Sequence, residues 1–240
     1  MNSLTKDTFF NGKLHVTQDS SGYRFSIDAI MLASQTDVRA GERVLDLGTG
    51  CGIIPLILAY RHPDIRVYGI EIQNDLNKLA VANVNENNMQ DRITLICRDM
   101  RELKPGLIGG PVDVIVCNPP YRKPNSGRLN PDPQRAVARH ELKVSLTDVL
   151  QTVRCMLRTA GRFVIIYTAE RTAELLSQMR LDEIEPKFVR LIHSQADADA
   201  KLILVSGIKG ARPGVKIGPP LIIYNAAGDY SAEVEKMFIP

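Results

Sequence analysis

The sequence predicts an α/β fold, a mostly parallel sheet covered by helices on both faces. Three observations carry this expectation. Short apolar runs of strand length alternate with segments whose apolar residues recur at helical spacing. A glycine-rich turn, with Gly48, Gly50 and Gly52 at alternate positions, joins one such run to an apolar helical segment. Two prolines, Pro119 and Pro120, end another apolar run, because a residue without a backbone N–H cannot continue a central strand.

The elements follow in order. A short strand is expected at 13–17, then a Ser/Gly turn, then a helix over 27–35 whose start Asp28 favours. Next come strand 43–47, helix 53–62, strand 66–71, helix 74–87, strand 93–97 and strand 112–117. The Asn-rich stretch 83–88 suits the end of a helix running into a turn. Residues 121–139 hold Pro124, Gly127, Pro131 and Pro133 with little apolar content, which reads as a long loop. Such a loop after a strand end suits a substrate lid, the alternative being a plain insertion. Helix 145–158 follows with Ser145 as N-cap, then strand 162–167, helix 170–181, strand 187–193 and strand 201–208. The connection 193–200 is too short for a crossover helix, so the last two strands should be antiparallel neighbours.

With 240 residues, 44% hydrophobic and 24% charged, the chain fits one domain with a large core. The expected layout is a single domain over 1–240, with 1–40 an amino-terminal extension and 41–240 the core. No apolar stretch reaches membrane-spanning length and the first residues lack a signal-peptide pattern, which predicts a cytoplasmic protein. Cys51, Cys97, Cys117 and Cys155 form no C-x-x-C pair and read as free, buried thiols in a reducing compartment. His15, His62, His140 and His193 are scattered, so no metal site is expected.

The net charge is only +3, but its distribution is uneven. Arg122, Lys123, Arg128, Arg135, Arg139 and Lys143 crowd one stretch against Asp132 and Glu141. Lys201, Lys209, Arg212 and Lys216 form a second stretch without any acid. Two basic loops around one site point to a polyanionic substrate, with Arg122, Lys123, Arg139, Lys209, Arg212 and Lys216 as candidate RNA contacts.

In open α/β sheets ligands bind beyond the carboxyl ends of the strands. Asp46, Glu71, Asp99 and Asn118 all fall at such ends. A carboxylate at Glu71 can accept hydrogen bonds from two ribose hydroxyls. The turn Asn118-Pro119-Pro120-Tyr121 fixes a side-chain amide, carbonyls with no competing N–H, and an aromatic ring. This group suits a flat substrate with an exocyclic amino group: Asn118 and the Pro119 carbonyl accept both amino hydrogens while Tyr121 stacks on the ring. The catalytic candidates are therefore Asn118, Pro119 and Tyr121. The glycine run, D-x-G-x-G-x-G, departs from the dinucleotide fingerprint at its last glycine.

Over roughly residues 40–170 these motifs resemble the class I S-adenosylmethionine-dependent methyltransferases of the amino-methylating NPPY group. Segments 22–33, 138–141 and 207–214 narrow the likeness, and the chain is similar to the bacterial valine-tRNA adenine-N6 methyltransferases. The resemblance implies a Rossmann-like methyltransferase fold: a mostly parallel seven-stranded sheet with a carboxy-terminal antiparallel hairpin and a short amino-terminal extension. It implies S-adenosyl-L-methionine as cofactor and transfer RNA, at an anticodon-loop adenosine, as substrate. By the same resemblance Gly48 and Gly50 line the methionine part of the cofactor, with Asp46 beneath. Glu71 holds the ribose, Asp99 binds the adenine amino group, and the Met100 backbone lies beside the ring. Phe25 and Asp28 fall in the segment that covers the cofactor. Glu71 and Asp99 could instead be a helix cap or a strand end, Phe25 a core aromatic and Asp28 a helix cap. Arg139, His140 and Glu141 could position the lid or contact phosphate.

Rival functions remain at this stage. Protein glutamine methylation uses the same amino-group logic, but relatives of that kind carry a helical domain before the glycine loop, where only about 40 residues stand here. Guanine-N2 methylation of ribosomal RNA is closer, and a DNA adenine target or a non-catalytic RNA-binding scaffold is more distant.

Overall fold

The computed structural model describes residues 4–19, 27–119 and 144–239. Phe25, Tyr121, Arg122, Lys123 and Arg139, and the expected loop 121–139, lie outside the described residues.

The chain begins with a hairpin, β1 (Leu4–Phe9) and β2 (Leu14–Asp19), followed by α1 (Ile27–Ser34). The alternating core comprises β3 (Arg43–Leu47), α2 (Ile53–Arg61), β4 (Arg66–Glu71), α3 (Asn74–Glu86), β5 (Ile93–Cys97) and β6 (Val112–Cys117). It continues through α4 (Leu146–Met156), β7 (Leu157–Thr168), α5 (Thr172–Leu181), β8 (Ile184–His193) and β9 (Ala200–Lys209). Two short strands, β10 (Lys216–Ile217) and β11 (Leu221–Ile222), precede α6 (Ala232–Lys236).

The main sheet runs β10-β8-β9-β7-β6-β3-β4-β5, with β11 also on β8. Pairs β5–β4, β4–β3, β3–β6 and β6–β7 are parallel, and β9 is antiparallel to both β7 and β8. The expected seven strands are present, but the sheet has nine, because β10 and β11 add to the outer side of β8. The expected terminal hairpin is β8–β9. The order reverses at β3: the chain goes from β3 outward to β4 and β5, then returns to β6 on the other side. That reversal places a crevice between the loops after β3 and β6.

Both faces of the sheet are covered. One cluster packs Leu56, Ile57 and Leu58 of α2, Met31 and Leu32 of α1, and Leu14 and Val16 of the hairpin against Val44 and Val116. The other packs Val149, Leu150 and Val153 of α4 and Leu175 and Met179 of α5 against Leu45, Ile115 and Phe163. The strands between are buried on both sides, which is why they read as continuous apolar runs. Ser145 caps α4 as expected, within a reciprocal capping box: its Oγ accepts from the Asp148 N–H and Asp148 accepts from the Ser145 N–H.

Some boundaries differ from expectation. Helix α4 stops at Met156 and runs directly into β7, which starts five residues earlier than the apolar pattern suggests. The early part of β7 carries Ala160 at φ 61° and a register shift against β6, so Arg158, Thr159 and Ala160 sit exposed in a distorted strand. Strand β8 likewise extends back to Ile184 and absorbs Pro186 at a register shift, where its missing N–H is tolerated. Of the cysteines, only Cys51 and Cys117 are buried; Cys97 and Cys155 are exposed, and all four are free thiols. No helix among the described residues is long and apolar enough to cross a membrane.

Candidate active site

The loop after β3 is the floor of the crevice. Gly48 and Thr49 both donate their N–H to the Ile70 carbonyl at 2.9 Å, which folds the loop back over β4. Gly48, Gly50 and Gly52 take φ of 78°, 58° and 85°, the left-handed region that only glycine enters without strain. A Cβ at Gly48 or Gly50 would meet nothing within 4 Å, so this backbone faces open space. Gly52 instead lies against α3, where a Cβ would come 3.3 Å from that of Ala80.

Beneath the loop, Asp46 is fully buried. Neither of its carboxylate oxygens, nor the Thr49 hydroxyl, closes a hydrogen bond among the described residues. Burial pushes the Asp46 carboxyl up to about 7; the nearby Thr49 hydroxyl opposes this and the Glu71 charge adds to it. An ionisable group so placed is a high-energy feature of the free protein, and a ligand carrying positive charge would relieve it.

Glu71, at the end of β4, is only 5% exposed. One carboxylate oxygen accepts the Gly50 N–H at 2.9 Å and the other accepts the Gln73 N–H at 2.9 Å. Glu71 therefore holds the glycine loop as well as facing the crevice. Each oxygen retains a second lone pair, the number a vicinal diol requires.

Asp99 lies at the next strand end and caps a short 3-10 turn by accepting the Arg101 N–H at 2.9 Å. The Arg101 side chain grips the same carboxylate, with Nε 3.0 Å from both oxygens. Arg101's hydrogen bonds hold the Asp99 carboxyl below its usual range, so it stays an ionised acceptor. Met100 is half-buried against the α4 side of the core, and its carbonyl accepts from the Thr152 hydroxyl at 3.3 Å.

Across the crevice, Asn118 and Pro119 leave the end of β6, both half-buried. The register Leu47↔Cys117 sets Asn118 beside the start of the glycine loop. The buried Cys117 thiol bonds to the Leu47 carbonyl at 3.4 Å, tying the two strand ends together. Asp28 is in the first turn of α1. Ser34 near the other end of α1 bonds to Arg61 at the end of α2, so α1 begins on the crevice side.

The structure thus brings Asp46, Gly48, Gly50, Glu71, Asp99, Met100, Asn118 and Pro119 to one sheet edge. It fits a nucleoside cofactor with a cationic amino-acid end: a glycine cradle with free space at the Cβ positions of Gly48 and Gly50, an orphaned buried carboxylate, a two-oxygen acceptor and an ionised aspartate on successive strands. The model for the methyltransferase small domain matches residues 21–175. A tRNA1(Val) (adenine(37)-N6)-methyltransferase from Porphyromonas gingivalis is 31% identical across 99% of this chain and 95% of its own. The chain belongs to this family.

A second member, from Tolumonas auensis, is 31% identical across 69% of this chain and 68% of its own. Among solved structures, a predicted O-methyltransferase from Agrobacterium tumefaciens matches with a TM-score of 0.70 at 21% identity, covering 88% of this chain and 94% of the other. A geranyl diphosphate C-methyltransferase from Streptomyces coelicolor matches with a TM-score of 0.54 at 13% identity, covering 75% and 78%. These likenesses establish the methyltransferase fold. Among the described residues no group of His, Cys, Asp and Glu could hold a metal ion.

The basic tail does not surround the site. Strand β9 runs against its neighbours, so Lys209 and Arg212 arrive at the amino-terminal edge of the sheet, opposite the crevice. Lys209 is used there: its ammonium donates to the carbonyls of Arg154 and Leu157, closing the carboxyl end of α4. Lys216 sits on β10, four strands from β6, about 19 Å across the sheet. Only Lys201, exposed at the start of β9, is on the crevice edge. Lys209→Met is accordingly expected to destabilise the fold by about 1–2 kcal/mol in urea unfolding, through stranded helix carbonyls. RNA affinity should hold; a selective loss of RNA binding with unchanged stability would restore Lys209 to the substrate surface.

Two further residues escaped the sequence reading. Gly69 in β4 leaves room for the loop above it: a Cβ there would lie 2.9 Å from the Thr49 Oγ1 and 2.6 Å from the Leu95 Cδ2. A lone glycine inside a strand is the sequence signal for such close approach. Arg101, which orients Asp99, has no signal beyond its spacing.

Proposed function

We propose that this protein is an S-adenosylmethionine-dependent methyltransferase that modifies N6 of adenine 37 in tRNA1(Val), as the names of its relatives describe. The observation that carries this reading is the Asn118-Pro119 turn standing beside the glycine loop at the point where the strand order reverses. One domain does this work in the cytoplasm, on an RNA substrate.

When bound, S-adenosylmethionine supplies a methyl group activated by a sulfonium. The protein must make a poor nucleophile adequate, because the lone pair of an aromatic amino group is delocalised into the ring. Asn118 Oδ1 and the Pro119 carbonyl each accept one amino hydrogen, which favours a pyramidal, electron-rich nitrogen. These bonds strengthen as positive charge develops there, so they stabilise the transition state more than the ground state. Pro119 and Pro120 offer no N–H that would compete for the same carbonyl region, and their stiffness fixes the acceptors. A strong base is not needed, since an N-methylated ring ammonium is itself strongly acidic. Tyr121 supplies a stacking face for the adenine, an interaction worth roughly 1–3 kcal/mol per base. The target base must leave its stack, which is least costly in a loop.

The test is transfer of radiolabelled methyl from S-adenosylmethionine into unmodified tRNA1(Val), ribosomal RNA and cell protein, followed by nucleoside and amino-acid analysis. N6-methyladenosine at position 37 of the transfer RNA is expected. N2-methylguanosine in ribosomal RNA, or methylglutamine with no label in RNA, would overturn the assignment.

A further inference from the structure

The amino-terminal hairpin is attached to the cofactor loop through one side chain. Asn83, on α3, is fully buried, and each polar group of its carboxamide is used. Its Oδ1 accepts the Thr17 N–H at 2.8 Å. Its Nδ2 donates to the Thr17 carbonyl and to the Cys51 carbonyl, both at 2.9 Å. Cys51 lies between Gly50 and Gly52, so the second bond reaches into the glycine loop itself. One turn further along α3, Asn87 repeats the first half of this arrangement. Its Oδ1 accepts the His15 N–H at 2.9 Å and its Nδ2 donates to the His15 carbonyl at 2.6 Å.

The two periods match. Four residues of helix advance about 6 Å and two residues of strand about 6.7 Å, so carboxamides at i and i+4 meet alternate residues of an extended edge. Helix α3 in effect replaces a neighbouring strand for β2, satisfying backbone groups that would otherwise be lost on burial. Asn87 docks the hairpin and donates to the Asn83 carbonyl at 2.8 Å without reaching the loop, whereas Asn83 docks the hairpin and fixes a carbonyl of the loop.

Resting on the cofactor reading above, we propose that Asn83 is a positioning residue that couples hairpin docking to the geometry of the glycine loop. Cofactor binding and hairpin closure are then linked, each favouring the other. The neighbouring bonds support this division. The Glu71 carboxylate holds the loop at Gly50 N–H from the β4 side, and Asn83 holds it at Cys51 from the α3 side. Without Asn83, the loop loses its tether at Cys51, and the hairpin keeps Asn87 and the Lys6–Glu86 ion pair to α3.

The comparison of Asn83→Ala with Asn87→Ala separates positioning from simple support. Affinity for S-adenosylhomocysteine is measured by calorimetry, and hairpin opening by hydrogen exchange at the β2 amides. Both variants should open the hairpin, but only Asn83→Ala should weaken binding, by about tenfold. Asn87→Ala should stay within about twofold of wild type, and added S-adenosylhomocysteine should slow exchange in β2 of the wild type. Asn83→Ser, which keeps one donor, carries the same comparison if the alanine variant does not fold, and should fall between it and wild type. Equal losses in the Asn83 and Asn87 variants, or unchanged affinity in Asn83→Ala with an opened hairpin, would overturn the coupling. Failure of the wild type to bind S-adenosylhomocysteine would instead overturn the cofactor reading.

Discussion

Asn118→Ala is expected to lower kcat by about two to three orders of magnitude while cofactor affinity stays within about twofold. The side chain lies at the end of β6, across the crevice from the groups assigned to the cofactor, so removing it leaves the Glu71 and Asp99 acceptors in place. What disappears is an acceptor whose bond to the amino group strengthens as the nitrogen becomes positive. Asn118→Asp retains an acceptor and should keep more activity than the alanine variant. The result that would sink the account is a rise in KM for RNA at unchanged kcat, which would make Asn118 a ground-state binding residue. Tyr121 tests the complementary claim: Tyr121→Phe should be nearly neutral and Tyr121→Ala impaired, because a ring is needed and a hydroxyl is not.

The central strands were legible in the sequence because burial on both faces leaves an unbroken apolar run. Strands at 43–47, 66–71 and 112–117 appear with those bounds, as does the partly exposed edge strand at 93–97. Strand β1 was not legible. Its residues alternate between exposed and half-buried until Phe9, and its Thr5, Lys6 and Asp7 give it no apolar run. The short strands β10 and β11 were equally hidden. They are held by backbone bonds to β8, with Gly218 N–H donating to the Val189 carbonyl and Ile223 N–H to that of His193, and backbone pairing leaves little trace in side-chain type.

The shared sheet edge was legible where chain position alone fixed it. Gly48, Glu71, Asp99 and Asn118 each follow a strand, and parallel strands deliver their ends to one edge. The placement of the basic tail was not legible, for the converse reason. A run of cations does not say which edge it reaches, and the single reversed strand β9 carries Lys209 to the far one. The Asn-rich stretch ends α3 as expected, with Asn87 at its carboxyl end. Its deeper use, Asn83 and Asn87 serving a strand edge, depends on a long-range contact with residues 66 and 72 positions away.

Asp46→Asn is expected to stabilise the free protein above neutral pH and to weaken it as a cofactor binder. In the folded chain the Asp46 carboxyl sits near 7 against an ordinary 3.8, chiefly because burial penalises its charge. The raised value means the folded state holds a proton that the unfolded chain releases. Its contribution is therefore fully present below about pH 3.8 and is lost progressively as pH rises through 7. Across that window the loss approaches about 4 kcal/mol by linkage, at roughly 1.4 kcal/mol per unit. Asparagine removes the titration but buries an amide beside Thr49, so the net gain at pH 8 should be smaller, about 1–3 kcal/mol. Near pH 4 the advantage should vanish or reverse. Binding should show the opposite trend. A cationic amino-acid end above Asp46 favours its ionised form, so wild-type affinity for S-adenosylhomocysteine should rise between pH 5.5 and 7.5, and the variant should bind more weakly with little pH dependence. Denaturation series at several pH values and calorimetry over the same range check both halves. A variant no more stable than wild type at pH 8, yet equally responsive to pH in binding, would show that Asp46 is neither strained in the free protein nor the group that senses the cofactor's charge.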